Sequence, residues 1–500
     1  MGAFAINHKN VFFVADYKLF SFGRVRLHAE GDLQLRRTPR VVSTPVLRHE
    51  RFRHISANVG SKIENVCVIS QGLHAAVFTW GDNYGSQQGT LFVMPRPVAS
   101  SSSESSSDSQ SNEEQEQQEA PAQEPQAAPQ EVQVQPPPEE QQQVRFGEIY
   151  SSNPVRRGRE HFHGETPALA ASSARSFFVV TESGNLWCVG DDILARNLVH
   201  ADHPLQTFAR VPRELFEDID VVGLSIGRSH ILAVSADGMV WAWGKNDYSA
   251  LGVDDDDVSE RSHPEKIDST AWDHRRIIAV SAGDDHSNAL SQDGVVWEWG
   301  LVHSDTQIHP NSTAVTYRYQ HTPNRVHSNE VPFDDTTFQS VCCGSTFTLM
   351  LSTQGHLWSC GSGPHGELGL GWQTIAPHAT RTLTARRPMR IERFENGDNL
   401  TDFGYADDPV VSISCGANNC GAISQSGRIH VWGAKYVPDE APDTQNFIRA
   451  PRLIMTRHQF PAAASMAFSM AQQPRLGGDS PAQPLSTEMY QMTLRPHMQP

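Results

Sequence analysis

The sequence has little of what membrane proteins, secreted disulfide scaffolds and redox enzymes require. No stretch approaches the roughly eighteen apolar residues of a membrane-spanning helix, and the N-terminus lacks a basic region followed by an apolar run. We therefore expect neither a membrane segment nor a secretory signal. Only seven of the 500 residues are cysteines, with no Cys-x-x-Cys motif, which predicts buried free thiols in a reducing compartment, the cytoplasm or the nucleus.

Positive charge is also scarce. Forty Lys and Arg face 57 Asp and Glu, for a formal net charge of −17, and neither terminus is strongly basic. A protein that neutralises DNA phosphates needs a basic tail or face, so nucleic acid is not an expected partner.

A repeated spacing of glycines is the main feature that the sequence does contain. Each copy consists of a small residue, ten positions, Gly, five positions and Gly, and a bulky aromatic residue usually precedes the last Gly. A fixed period of this kind predicts one supersecondary unit used many times. Four copies keep all three glycines: Gly227, Gly238 and Gly244; Gly283, Gly294 and Gly300; Gly344, Gly355 and Gly361; Gly416, Gly427 and Gly433. Looser copies include Ser173, Gly184 and Gly190, a stretch ending at Gly81 and an N-terminal run ending at Gly23.

Each copy predicts a β-hairpin. Two runs of β-branched, aromatic and small apolar residues flank Asp237-Gly238, and Gly accepts the positive φ of a tight hairpin turn. A Pro followed by an aliphatic residue, as in Pro264 to Ile267, precedes most copies and fits an outer strand. The position before the last Gly is Trp in three of the four complete copies, where we expect packing between neighbouring sheets: Trp243, Trp299 and Trp432.

These units predict an all-β fold, a seven-bladed β-propeller of four-stranded antiparallel blades. The last proline unit, at Pro451, is followed by no hairpin, and the N-terminal run has a hairpin without preceding strands. We therefore expect the N- and C-terminal segments to pair in one blade and to close the ring, which removes free sheet edges.

Two segments fall outside this pattern. Residues 99–143 hold ten acidic residues and no Lys or Arg, and they consist mainly of Ser, Glu, Gln, Pro and Ala. Such a segment cannot bury enough apolar surface to offset its ordering entropy, so we expect a disordered insertion between propeller parts at 1–98 and 144–471. It is either a tolerated loop insertion or an acidic docking or phosphorylation segment. A disordered tail is expected at 472–500.

The order aliphatic-x-small-small-Gly-x-x-His, small-x-Asp-Gly, aromatic-x-Trp-Gly and Leu-Gly resembles the repeat of the regulator of chromosome condensation family. The resemblance is best at 224–252, 280–300 and 341–369, and it covers most of the chain outside 99–143 and the tail. It implies a propeller with a divergent sequence. The His of the repeat is present at His230 and His286, while the other copies have Phe347, Asn419, Ser176 or Ile63 in that position. We expect the two histidines to form buried hydrogen bonds between blades.

One turn carries a functional implication of the resemblance. In the nuclear GTPase exchange factor of this family, acidic loop residues and a wedge-like insertion displace the nucleotide, and one acid lies in an Ala-Gly-Asp-x-His turn. Residues 282–286 match that turn, so Asp284 is the candidate exchange residue, with Asp285 beside it. The same turn also serves as an ordinary structural element in relatives without exchange activity.

No other group of residues predicts a catalytic, cofactor or metal site. The run Asp254 to Asp257 lacks the alternating spacing of a calcium loop, and His161 and His163 have no third ligand at a suitable spacing. Cys342 and Cys343 are neighbours on a predicted strand, so they point to opposite faces. Residues 156–159 form a small basic patch that either contacts an acidic partner or is solvated.

Two functions from different classes remain open. The first is a non-enzymatic interaction propeller, an adaptor or scaffold that binds a protein partner through its loops, with 82–154, 301–322 and 362–387 as the expected contact surface. The second is guanine-nucleotide exchange on a small Ras-like GTPase through the face that carries Asp284. We expect a monomer, with neither covalent catalysis nor a cofactor.

Overall fold

The computed structural model describes residues 4–82, 150–302, 318–371, 384–392, 408–434 and 447–455, apart from short gaps inside the first three ranges. The predicted insertion at 99–143 and the tail at 472–500 lie outside the described residues. All the described strands lie within residues 4–82 and 150–455.

The described strands form seven four-stranded sheets, called blades 1 to 7 in chain order. Blade 1 contains β1 (Phe4–Ile6), β2 (Asn10–Ala15), β3 (Lys18–Val25) and β4 (Gln34–Val41). Blade 2 contains β5 (Phe52–Ala57), β6 (Asn65–Ser70), β7 (Val77–Asp82) and β8 (Tyr150–Arg157). Blade 3 contains β9 (Pro167–Ser172), β10 (Ser176–Thr181), β11 (Leu186–Gly190) and β12 (Ala209–Arg210). Blade 4 contains β13 (Val221–Ile226), β14 (His230–Ser235), β15 (Val240–Lys245) and β16 (Glu260–Lys266).

Blade 5 contains β17 (Ile277–Ala282), β18 (His286–Ser291), β19 (Val296–Val302) and β20 (Arg318–Arg325). Blade 6 contains β21 (Phe338–Cys343), β22 (Phe347–Ser352), β23 (Leu357–Ser362) and β24 (Thr384–Arg390). Blade 7 contains β25 (Val410–Cys415), β26 (Asn419–Ser424), β27 (Ile429–Ala434) and β28 (Phe447–Met455). One short α-helix, α1, spans Ile193–Arg196. Single 3-10 turns occupy Arg159–Phe162, Arg213–Phe216, Asp247–Ser249, Ser269–Trp272 and Phe333–Asp335.

All the strand pairs within blades are antiparallel, and the repeated glycines explain the local geometry. Gly238 has a φ of +87° at the tip of the β14–β15 hairpin, where Ser235 Oγ donates to the Asp237 carboxylate. Gly244 has a φ of +104°, and a Cβ there would lie 2.5 Å from the Ser229 carbonyl oxygen. The prediction of an all-β propeller with four-stranded antiparallel blades is confirmed.

The core lies between neighbouring blades and is built on the repeated Trp position. Trp243, Trp299 and Trp432 are almost fully buried. Their indole N–H groups donate to backbone carbonyls of the preceding blade: Leu194 at 3.0 Å, Ala250 at 2.8 Å and Glu367 at 2.7 Å. Each Trp therefore joins two blades by packing and by one buried hydrogen bond.

The structure corrects the predicted position of the proline strands. Pro264 lies in β16, which pairs with β15 of its own blade, and Pro451 lies in β28, which pairs with β27. The proline strand therefore completes the blade of the hairpin before it in sequence and does not belong to the blade that follows. Proline is tolerated there because only one side of an outermost strand needs to donate to a ladder.

The predicted pairing of N- and C-terminal segments within one blade is wrong for the described residues. Blade 1 takes all four strands from N-terminal residues, and blade 7 takes all four from residues 410–455. The sequence pattern misses the innermost strand β1 because three residues are too few to show a period of two. Once β1 and the proline strands are assigned, neither end lacks a strand.

Candidate functional site

Short turns between the first and second strands join neighbouring blades at one end of their innermost strands. The Arg228 amide donates to the Gly283 carbonyl (3.1 Å), the Asp284 amide to Ser345 (3.2 Å), and the Ser345 amide to Ala417 (2.9 Å). These contacts link blades 4, 5, 6 and 7 in series. They hold the backbone of Asp284 firmly in place, between the turns of two neighbouring blades.

The Asp284 side chain lacks some of the hydrogen bonds that a buried carboxylate needs. Its Oδ1 atom is buried and has no hydrogen-bond partner. Burial raises the pKa of Asp284 to about 6, and neighbouring Asp285 adds to the increase, while Ser345 and Arg228 oppose it. Near neutral pH the site therefore carries an ionised or partly protonated acid that lacks full compensation, an arrangement common where a charge acts on a ligand.

Asp285 and Asp247 extend this acidic site. Burial raises the pKa of Asp285, Arg228 opposes the increase, and the carboxylate of Asp247 reinforces it. Asp247 belongs to the loop between β15 and β16, so two different connections of the fold bring the three acids together. We call Asp247, Asp284 and Asp285 with Arg228 the acidic turn cluster.

An exposed aromatic residue lies directly beside this cluster. Tyr248 is 51% exposed and has φ 55°, and the next residue, Ser249, has φ 63°. Two successive non-glycine residues in the left-handed region are unfavourable. The same pairing occurs at Glu217–Asp218 and Asp273–His274, and here it is combined with an exposed tyrosine. The Ser249 hydroxyl and His321 Nδ1, 2.9 Å apart, hold the loop against blade 5.

Tyr248 is not among the site residues predicted from the sequence, although the sequence contains a signal for it. The equivalent loop of blade 6 has Gly366 in the position of Ser249, with φ +88°. Comparison of Asn246-Asp247-Tyr248-Ser249 with the 362–366 loop shows a missing glycine where the backbone requires a positive φ. This loop can therefore be recognised in the sequence because Ser249 replaces the glycine of the repeat.

The two repeat histidines lie between blades. His230 is fully buried, and its Nε2 lies 2.8 Å from Ser287 Oγ of blade 5, while His286 Nε2 lies 3.3 Å from Thr348 Oγ1 of blade 6. Burial lowers the pKa of His230 to about 3, with a smaller contribution from His286. At neutral pH His230 is therefore a neutral hydrogen-bonding group.

The corresponding position in blade 2 is Asn65 and not Ile63. The strand register pairs Asn65 with Gly81, as it pairs His230 with Gly244. Asn65 Nδ2 donates to the carbonyls of Ser173 and Ala174 in the next blade, both at 3.0 Å. The expectation for Ile63 failed because the first turn of this copy has two extra residues, which shift any count that starts from Gly60.

The remaining sequence candidates do not converge on a second site. The His163 ring packs against Trp187 with ring centroids 5.0 Å apart, and His161 lies 3.5 Å from Glu160. Arg156 pairs with Glu160, and Arg159 bonds the carbonyl of Gly164.

Asp254 is exposed, whereas residues 255–257 lie outside the described part of the chain. Among the described residues, no three His, Cys, Asp or Glu side chains could share a metal ion. No helix among them is long and apolar enough to cross a membrane.

Comparison with known proteins agrees with the repeat geometry. Two models of the regulator of chromosome condensation (RCC1) repeat match this chain, one at residues 237–290 and 354–423 and the other at 221–249 and 338–367. The RCC1 domain-containing protein RUG3, mitochondrial, of Arabidopsis thaliana is 26% identical over 44% of this chain and 43% of its own length. The guanine nucleotide exchange factor SRM1 of Saccharomyces cerevisiae is 26% identical over 44% of this chain and 42% of its own length. These alignments thus span less than half the length of the curated relatives.

A solved structure extends the likeness to nearly the whole fold. Prp20p of Saccharomyces cerevisiae, reported with its binding properties to Gsp1p and histones, superposes with a TM-score of 0.56. At 16% identity, the match covers 91% of this chain and 88% of that one. The repeat spacing, the blade geometry and the two repeat models agree: residues 221–290 and 338–423 contain repeats of the regulator of chromosome condensation type.

Proposed function

We propose that this protein is a non-enzymatic interaction propeller that binds a protein partner through the face formed by the acidic turn cluster and Tyr248. The observation that carries the proposal is an exposed, backbone-strained tyrosine beside three acids on a rigid scaffold. Tyrosine is enriched among residues that dominate binding energy, and loops on a rigid fold are common binding sites. The cluster favours a partner with a basic surface, because complementary charge steers association.

The predicted contact loops support the same face. The segments between β7 and β8, β19 and β20, and β23 and β24 include most of 82–154, 301–322 and 362–387. Each joins the third strand of a blade to the fourth, as does the loop that carries Asp247 and Tyr248. Most of these three segments lie outside the described residues, so their contribution to binding is part of the proposal.

The test is partner capture with the full chain and matched variants. The wild-type protein, Tyr248→Ala and Asp285→Asn are used as bait, with Asp254→Asn as a control from the same β15–β16 connection. We expect Tyr248→Ala and Asp285→Asn each to reduce the affinity for a captured partner at least tenfold, and Asp254→Asn to leave it unchanged. Equal affinity for all four proteins would exclude this face as the binding surface.

A second function, guanine-nucleotide exchange on a small GTPase, is favoured by Asp284. Its unpaired Oδ1 and raised pKa leave an acid free to interact with groups that hold phosphate and Mg²⁺ in a GTPase. One relative is an exchange factor, and Prp20p has reported binding to Gsp1p. For this chain the activity is a proposal.

GDP release from a panel of small GTPases separates the two functions. Exchange predicts faster release with the wild-type protein, a large loss with Asp284→Ala and no loss with Asp254→Ala. It also predicts that the captured GTPase is enriched when EDTA strips its nucleotide. If release is unchanged with every GTPase, and captured partners are indifferent to EDTA, the scaffold function remains.

For the architecture, we propose that the seven sheets form one closed ring. Support comes from β1, which lies against β5 of blade 2 and also against β25 of blade 7. Such a ring would close by packing of innermost strands. We further propose a monomer in the cytoplasm or the nucleus, with 99–143 and 472–500 as disordered segments. Limited proteolysis, which cleaves exposed unstructured segments first, would test the assignment of 99–143.

A further inference from the structure

Two cysteines from different blades meet at the boundary between blades 6 and 7. The Sγ atoms of Cys342 on β21 and Cys415 on β25 are 2.7 Å apart, although 73 positions separate the residues in sequence. That separation is well inside ordinary nonbonded contact. A third thiol, Cys420, lies 3.9 Å from Cys415.

The contact arises from a substitution in a repeated serine position. Two residues before the first Gly of the repeat, blades 4 and 5 have Ser225 and Ser281, and blade 6 has Cys342. Each serine oxygen accepts a backbone N–H from the next blade: Ser225 from Ala282 at 3.0 Å, and Ser281 from Cys343 at 2.9 Å. At the boundary between blades 6 and 7, Cys342 takes the place of the serine. It faces Cys415, which lies in the same repeat position as Ala282 and Cys343.

We propose that Cys342 and Cys415 form a reversible modification site, at which a hydroperoxide converts the thiol pair into a disulfide that links blades 6 and 7. Cys342 is partly exposed and Cys415 is buried, so the oxidant reaches Cys342 first. The Cys342 sulfur attacks the peroxide O–O bond, giving Cys342 sulfenic acid and an alcohol, or water when the oxidant is hydrogen peroxide. The Cys415 sulfur then attacks the sulfenic sulfur, the S–S bond forms, and water leaves.

The environment makes the first step slow and the second fast. Burial raises the pKa of both thiols, so little thiolate is present at pH 7 and the pair persists as thiols without an oxidant. Once Cys342 is oxidised, Cys415 is already adjacent, and proximity makes ring closure efficient. A reduced thiol such as glutathione reverses the reaction by thiol–disulfide exchange, with its own oxidation to the disulfide.

The test is peptide mapping of the full chain after treatment with hydrogen peroxide and alkylation of the remaining thiols. We expect a peptide pair cross-linked through Cys342 and Cys415 that disappears after treatment with dithiothreitol. Its rate of formation should increase roughly tenfold per pH unit between pH 7 and 9, as the thiolate fraction does. Treatment should also raise the Tm by roughly 5 °C, because the bond closes a long loop.

Matched variants keep the test independent of folding. Cys342→Ser restores the residue type of blades 4 and 5, so we expect it to fold normally and to lose both the cross-link and the Tm change. Cys188→Ala removes a buried thiol of blade 3 and should retain both. Absence of a cross-link in the wild-type protein, or a dominant Cys415–Cys420 cross-link, would overturn the proposal.

Discussion

At the residue scale, the acidic turn cluster and the neighbouring Tyr248 include groups that lower the stability of the fold. Asp284 has an unpaired buried oxygen, and Tyr248 has a left-handed backbone. Residues kept for binding often lower stability, so their replacement should stabilise the fold while it weakens function. A variant that gains stability and loses binding therefore identifies a functional residue.

For Asp284 we predict a pH-dependent gain in stability on replacement by Asn. The folded-state pKa of about 6 lies above the value of 3.8 for an exposed Asp, so the ionised carboxylate destabilises the fold above pH 6 and the penalty disappears as the pH falls below 4. Asp284→Asn should raise the free energy of unfolding by about 2 kcal/mol at pH 8 and by almost nothing at pH 3.5. Urea denaturation at both pH values measures this, with Asp254→Asn as the control; an equal effect at both would contradict it.

For Tyr248 we predict that glycine stabilises the fold and alanine does not. Glycine accepts φ 55° without steric strain, so Tyr248→Gly should raise the free energy of unfolding by roughly 0.5–1 kcal/mol. Tyr248→Ala keeps the strained backbone and should give no such gain. Both should weaken partner binding, since both remove the aromatic ring. Equal stability of the two variants would show that the loop is not strained.

At the element scale, the third strand of each blade determines how blades join. Trp297 and Trp299 lie two residues apart in β19, but their indole N–H groups differ in hydrogen bonding. Trp299 Nε1 donates to Ala250 in blade 4, whereas Trp297 Nε1 is buried without a hydrogen-bond partner. In blade 5, one of the two positions therefore forms a bond between blades, and the other contributes packing alone.

This contrast gives a matched pair of substitutions on one strand. Trp299→Phe removes the indole donor and leaves the buried Ala250 carbonyl with one partner fewer, so we expect a loss of about 2–4 kcal/mol. Trp297→Phe removes an unsatisfied donor together with apolar volume and should cost at least 1 kcal/mol less. Chemical denaturation of both variants measures the difference, and a greater loss for Trp297→Phe would contradict the assignment.

At the scale of the whole molecule, buried neutral histidines make the fold sensitive to acid. The pKa of His230 is about 3 and that of His430 about 4, both lowered mainly by burial from the 6.5 of an exposed histidine. The unfolded chain therefore binds more protons below pH 6.5, and stability decreases as the pH falls toward 4.

Replacement of His230 by Asn, the residue of blades 2 and 7 at this position, should weaken that dependence. Between pH 6 and 4, the slope of the free energy of unfolding against pH should decrease by about 1 kcal/mol per unit. Thermal unfolding monitored over this pH range tests it, and His263→Asn, at an exposed position, is the control. An unchanged slope would mean that other groups govern the acid sensitivity.

The sequence by itself determined the hairpins, the four-stranded sheets and the buried Trp positions, because these depend on spacings of a few residues and on the conformational freedom of glycine. It also identified Asp284 and Asp285 through a local turn. Only the tertiary structure decided which blade each proline strand completes, because an outer strand fits either neighbour by composition. It alone showed the orphaned Asp284 oxygen and the meeting of Cys342 with Cys415. Those features arise between blades, from residues about sixty to seventy positions apart, and no local period records them.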